Sequence, residues 1–108
     1  MKKDDGYYSQ ALIKDLSYII RHMSGLTREA FDQNEILQDA MMFRLIQISE
    51  SARKLTEDFR ACYQQIPWGD VYGLRNRIVH DYGTIDLTIV YTTLTEDIPL
   101  LWHILAKE

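Results

Sequence analysis

One long apolar seam sets what this 108-residue chain can fold into. Leu37, Met41, Leu45, Ile48, Ala52 and Leu55 recur at three- and four-residue spacing, the repeat of a single helical face. The spacing predicts a helix over residues 34–55, roughly 30 Å long at 1.5 Å per residue and long enough to be the spine of a bundle. Ile36, Ala40 and Phe43 widen the seam, so this helix is expected to pack on more than one neighbour. Asp32 and Glu35, three apart ahead of the apolar run, read as a capping box.

The flanking segments repeat the pattern. Over residues 4–24, Leu12, Leu16, Ile19, Ile20 and Met23 form one face. Asp4 and Asp5 favour its start, and Ser24-Gly25 its stop. Residues 27–31 read as a short helical turn, and residues 56–65 as a mixed stretch with one more. Pro67 suits a first helical turn, which predicts a third helix with Val71, Leu74, Ile78 and Val79 inward, ending at residues 80–83. Gly69 and Gly73 lower its intrinsic stability. Asp86 opens a last helix carrying Leu87, Val90, Tyr91, Leu94, Ile98, Leu101, Trp102 and Leu105. Pro99 inside it removes a backbone donor, so a kink is expected near Asp97. No stretch alternates like a strand. The expectation is an all-α antiparallel bundle of four to five helices with a kinked C-terminal helix, one domain over residues 1–108.

Composition narrows the function. No apolar run approaches the roughly 20 residues that cross a bilayer, so no membrane role is expected. The charged N-terminus lacks a signal core. The single cysteine, Cys62, cannot pair internally and suits a reducing cytoplasm. The net charge of −4 argues against coating nucleic acid by bulk electrostatics but leaves room for a small basic pocket, for which Arg75 and Arg77 are the candidates.

Those arginines open the densest chemistry in the chain, Arg75-Asn76-Arg77-Ile78-Val79-His80-Asp81-Tyr82-Gly83. A guanidinium grips phosphate oxygens as a fixed fork. An imidazole moves protons near neutral pH. Together they are the parts for cleaving RNA without a metal: His80 moves the proton, Arg75 holds charge building on phosphorus, and the RNA 2′-hydroxyl attacks. On an ideal helix five residues turn about 500°, leaving Arg75 and His80 roughly 140° apart. Either the helix distorts at its end, or the groups meet across a cleft shared with a second copy. The plain alternative is a helix-capping histidine with solvated arginines.

Other features carry less. His22, His80 and His103 lack ligand spacing, so no metal site is expected, and no Gly-rich phosphate loop or other cofactor signature occurs. His22 reads as a surface residue, Cys62 as a buried or half-buried small group, and Tyr7, Tyr8, Tyr18 and Tyr63 as packing or surface residues. Lys2-Lys3 and Arg53-Lys54 read as solvated charges. Glu50 reads as an exposed charge or as a partner that orients Arg75 or Arg77.

The run Ile66-Pro67-Trp68, then Gly73-Leu74 leading into the motif, then Ile85-Asp86 resembles the signature of the HepT-like family of HEPN ribonucleases. That family's motif is an arginine, four residues, a histidine, one residue and a tyrosine, met here by Arg75, His80 and Tyr82 with Asn76 as the polar neighbour. Residues 44–55 and 97–101 extend the resemblance over most of the chain. Gly69, Ser49, Ser51 and Tyr91 depart from its usual residues. The resemblance implies a HEPN bundle and a metal-independent RNase, the toxin of a prokaryotic toxin–antitoxin pair, working as a homodimer with paired motifs. It implies RNA rather than DNA as substrate, and catalysis by Arg75, Asn76, His80 and Tyr82 with Arg75 and Arg77 on RNA phosphates. It also implies a partner, an MntA-like minimal nucleotidyltransferase that adds AMP to Tyr82. A rival expectation is a non-catalytic helical partner or substrate-binding subunit of such a nucleotidyltransferase, using the same residues to bind nucleotide or accept AMP.

Overall fold

A computed structural model describes residues 3–80 and 84–106, without the side chains of Val79, His80 and Thr84. Helix α1 (Asp5–Met23) starts where the Asp4 carboxylate accepts from the Tyr7 amide and stops before Gly25, whose φ of 72° needs a residue without Cβ. Helix α2 (Arg28–Asp32) is capped by Thr27 and helix α3 (Glu35–Arg53) by Asn34, each through its side-chain oxygen. The start of α3 corrects the expected capping box. Asp32 closes α2 and pairs with Arg28 at 2.8 Å, and Asn34 takes the capping position instead. Helix α4 (Glu57–Ala61) is capped by Thr56.

The expected third helix is divided. Helix α5 (Trp68–Tyr72) ends at Gly73, and helix α6 (Leu74–Ile78) follows at once. The chain then leaves the helix: β1 (Val79–His80) pairs antiparallel with β2 (Thr84–Ile85), Val79 opposite Ile85 and His80 opposite Thr84. The helix therefore ends at Ile78, short of the expected ending; residues 81–83 of that expectation lie outside the described residues. Helix α7 (Leu87–Thr92) is capped by Asp86, which accepts from the Thr88 and Ile89 amides. A π-helical turn (Thr93–Asp97) joins it to helix α8 (Ile98–Ala106). The π turn sits just before Pro99, where the kink was expected. Pro99 cannot donate to the carbonyl four residues back, and the Ile98 amide donates instead to the Thr93 carbonyl, five back.

The molecule is an all-α bundle with this short ladder as a corner. Helix α1 packs against α3 and α8, and α3 also against α2, α5 and α6. Leu12, Leu16 and Ile19 of α1, Met41, Leu45 and Ile48 of α3, and Leu94, Ile98, Leu101 and Leu105 of the last helices are buried together. Asp5 links α1 to α4 by accepting from both the hydroxyl and the amide of Thr56. Those bonds, the hydroxyl first, hold its carboxyl below the ordinary range.

Two residues expected in the core are not there. Ile36 is 83% exposed and Phe43 57%, because the seam already faces the neighbours of α3 and these two lie on its outer side. Cys62 is exposed, not buried. Among the described residues, no helix is long and apolar enough to cross a membrane.

Candidate functional site

The site is built outward from the carbonyl of Tyr72. Ser49 Oγ donates to it at 2.8 Å and Arg53 Nη2 at 3.2 Å. Four residues apart on α3, these two side chains face the same way and clamp the end of α5. Trp68 Nε1 donates to the Tyr63 carbonyl at 3.2 Å, which fixes the start of α5. Helix α6 is therefore tethered at its entry, and buried Leu74 and Ile78 set its rotation.

That rotation turns Arg75 and Asn76 outward, where both are exposed. Arg77 lies about 200° around from Arg75 and is half-buried. It donates to Thr93 Oγ1 at 3.3 Å and sits 3.6 Å from the Asp97 carboxylate. The two arginines do not make one pocket: Arg75 faces solvent, while Arg77 ties α6 to the π turn. Its described ion-pair partner is Asp97 rather than Glu50, which is exposed on α3. An incoming phosphate at Arg77 would have to compete with that half-open pair.

The backbone of His80 follows α6 by two residues, in β1. The helical angle between Arg75 and His80 therefore does not apply, since the chain has left the helix between them. The His80 side chain lies outside the described atoms, and Tyr82 outside the described residues. A cavity of about 140 Å³ opens beside α6, walled by Ile66, Val71, Leu74 and Leu101, with Arg77 and Asp97 along it.

Residues 12–107 match the sequence profile of the family described as ribonuclease HepT-like. The chain belongs to that family. Its relatives include a protein of Caldanaerobacter subterraneus subsp. tengcongensis, provisionally named an RNase, 26% identical over 87% of this HepT-like chain and 84% of its own length. The "Probable ribonuclease HepT" of Thermococcus cleftensis is 26% identical over 82% of this chain and 84% of its own. A Methanocaldococcus jannaschii protein, named a gamma-glutamylcyclotransferase and provisionally an RNase, is 29% identical over 99% of this chain, which spans 48% of that longer protein. No solved structure matches significantly.

Sequence reasoning missed several residues around the HepT-like motif. Arg53, read as a solvated charge, is exposed but bonded to the Tyr72 carbonyl and stands over that ring at 5.7 Å. Ser49, a departure from the family's usual residue, is buried and bonded. Their four-residue spacing on one helix was the available signal. Arg60, which donates to the Tyr72 hydroxyl, and Asp97, which meets Arg77, had none, because both reach across the fold.

Proposed function

We propose that this chain is a metal-independent endoribonuclease acting as the toxin of a toxin–antitoxin pair. The observation that carries the reading is an exposed Arg75–Asn76 pair on a short helix clamped from α3, running straight into His80, in a chain of the ribonuclease HepT-like family. In the proposed step the RNA 2′-oxygen attacks the adjacent phosphorus and gives its proton to His80. Arg75 neutralises the charge gathered on the phosphoryl oxygens, and the 5′-oxygen leaves, taking a proton from the protonated His80 and so restoring the neutral imidazole. Asn76 and Tyr82 complete the site by donating to the same oxygens, and Arg77 supports a neighbouring phosphate. Two copies, related by a two-fold axis, bring two motifs to one cleft in the cytoplasm.

Control is proposed to come from an MntA-like nucleotidyltransferase. The Tyr82 hydroxyl attacks the α-phosphorus of ATP, pyrophosphate leaves, and the tyrosine carries AMP. The attached phosphodiester charge then competes with RNA for the guanidinium groups, and the adenosine blocks entry.

The deciding experiment is RNA cleavage in EDTA. Wild type is expected to cleave, while folded His80→Ala loses about 10²–10⁴ in rate, the usual worth of a positioned proton-transfer group, and folded Arg75→Ala about 10²–10³, that of a charge-stabilising donor. Full cleavage by folded His80→Ala, or loss of wild-type cleavage on chelation, would overturn the assignment. Intact-mass spectrometry after incubation with the partner and ATP should show an AMP-sized gain in wild type and none in Tyr82→Phe. A gain that persists in Tyr82→Phe puts the modified residue elsewhere.

A further inference from the structure

A cationic cluster stands beside the motif that the cleavage step does not use. Two guanidinium groups from different elements converge on Tyr72: Arg53 of α3 at 5.7 Å from the ring centre and Arg60 of α4 at 5.6 Å. Arg60 also donates from Nη1 to the Tyr72 hydroxyl and from Nε to the Thr56 carbonyl at 3.3 Å. Arg53 reaches the Tyr72 carbonyl. Trp68 lies against the same ring, with centres 6.5 Å apart. Exposed Lys54 adjoins Arg53. Tyr72 precedes Arg75 by three residues, so the cluster sits at the entry to the motif helix.

These arginines are held more firmly than crosslinking alone uses. A guanidinium has five N–H donors, and the contacts above occupy one on Arg53 and two on Arg60. The remainder are held on an aromatic platform, where a phosphate can bind with little further ordering of the side chains. Of the nearby acids, Asp5 is hydrogen-bonded by Thr56 and also feels the Arg60 charge, which a phosphate there would share, while Glu57 and Asp58 are exposed in the first turn of α4. On a chain of net charge −4, Arg53 and Arg60 concentrate positive charge on Tyr72, while the Lys54 ammonium lies over Tyr8 instead.

We propose that Arg53 and Arg60, fixed by Tyr72, bind backbone phosphates of single-stranded RNA flanking the cleaved bond. This rests on the endoribonuclease reading and extends it: the motif cleaves, and the Tyr72 cluster grips the strand beside it.

The test uses the double variant Arg53→Gln/Arg60→Gln. Glutamine keeps a stem and a donor for Tyr72 but loses the charge. In a His80→Ala background, binding of a labelled single-stranded RNA of about 20 nucleotides is measured in EDTA from about 50 to 300 mM salt. Two lost contacts on a single strand should lower the log–log salt slope by about 1.4, at roughly 0.7 per phosphate, and weaken binding about tenfold at the low-salt end. In the cleaving background, KM for the same RNA should rise about tenfold with kcat nearly kept.

Unchanged slope and affinity, in a protein whose His80→Ala parent binds RNA, would overturn the proposal and leave the RNase reading standing. A fall in kcat with KM unchanged would also overturn it, because the arginines would then only position α6. RNA neither bound by the parent nor cleaved by wild type would overturn the RNase reading itself.

Discussion

Arg44 shows how much one side chain carries here. It donates to Asp15 at 2.8 Å, joining α3 to α1, and its guanidinium lies 3.7 Å from the Tyr18 ring centre. Burial pushes the Asp15 carboxyl above its ordinary range, against Arg44 and then Lys14, which pull it down. A carboxyl raised in the folded state stabilises the fold below its unfolded pKa and loses that contribution as pH rises. At neutral pH the pair is held together by Arg44. Arg44→Ala is expected to cost about 3 kcal/mol at pH 7, because it strands a buried carboxylate. The cost should shrink near pH 4, as Asp15 takes up a proton. Urea melts at the two pH values test this, and an equal loss at both would contradict it. Local residue chemistry of this kind was only partly legible. Caps such as Asp4, Thr27, Thr56 and Asp86 act through neighbours in sequence, and Asp4 and Asp86 could be read directly. The pairs Arg44–Asp15, Arg60–Tyr72 and Arg77–Asp97 join residues from different elements, which periodicity cannot align.

Among elements, the break between α5 and α6 is the informative one, because it sets the direction of the motif helix. Gly73 invites the explanation that a glycine was needed, yet its φ is −89° and an added Cβ would lie 3.4 Å from the Gly69 carbonyl oxygen. Any residue can adopt that backbone, and the contact is at the close edge of ordinary packing. The cause is the Tyr72 carbonyl, which accepts from Ser49 and Arg53 and so gains partners outside the helix. Gly73→Ala should therefore change stability by less than about 1 kcal/mol, since stiffening the unfolded chain offsets the tight contact. Ser49→Ala, which removes a buried donor, should cost about 1–2 kcal/mol. Thermal melts of both variants check the order, and a larger loss in Gly73→Ala would return the break to the glycine. The sequence could not reveal this break, because the competing donors come from α3. It did reveal the irregularity near Asp97, because a missing proline N–H is a local fact. The motif was legible as a string, but its geometry was not: the helix ends at Ile78, so Arg75 and His80 sit on different kinds of backbone.

At the scale of the molecule, the outer face of α3 carries two large exposed apolar side chains, Ile36 and Phe43. Ile36 and Phe43 are seven residues apart and so share a direction. They are exposed on the helix that also carries Ser49 and Arg53, the clamp of the motif. Water on two large apolar side chains costs free energy that a second copy would recover, and a two-fold axis needs the same patch on both partners. The proposed homodimer is therefore expected to use this face. Light scattering should give a dimer mass at micromolar concentration for wild type and a monomer mass for Phe43→Glu. The variant should keep its helical signal, because the side chain is more than half exposed and outside the buried core. If the cleavage site needs both copies, RNase activity should fall together with the dimer. Leu100, 62% exposed on α8, supplies the control. Leu100→Glu should remain dimeric. A monomer from Leu100→Glu and a dimer from Phe43→Glu would move the interface to α8, and a wild-type monomer with full cleavage would remove the dimer from the mechanism.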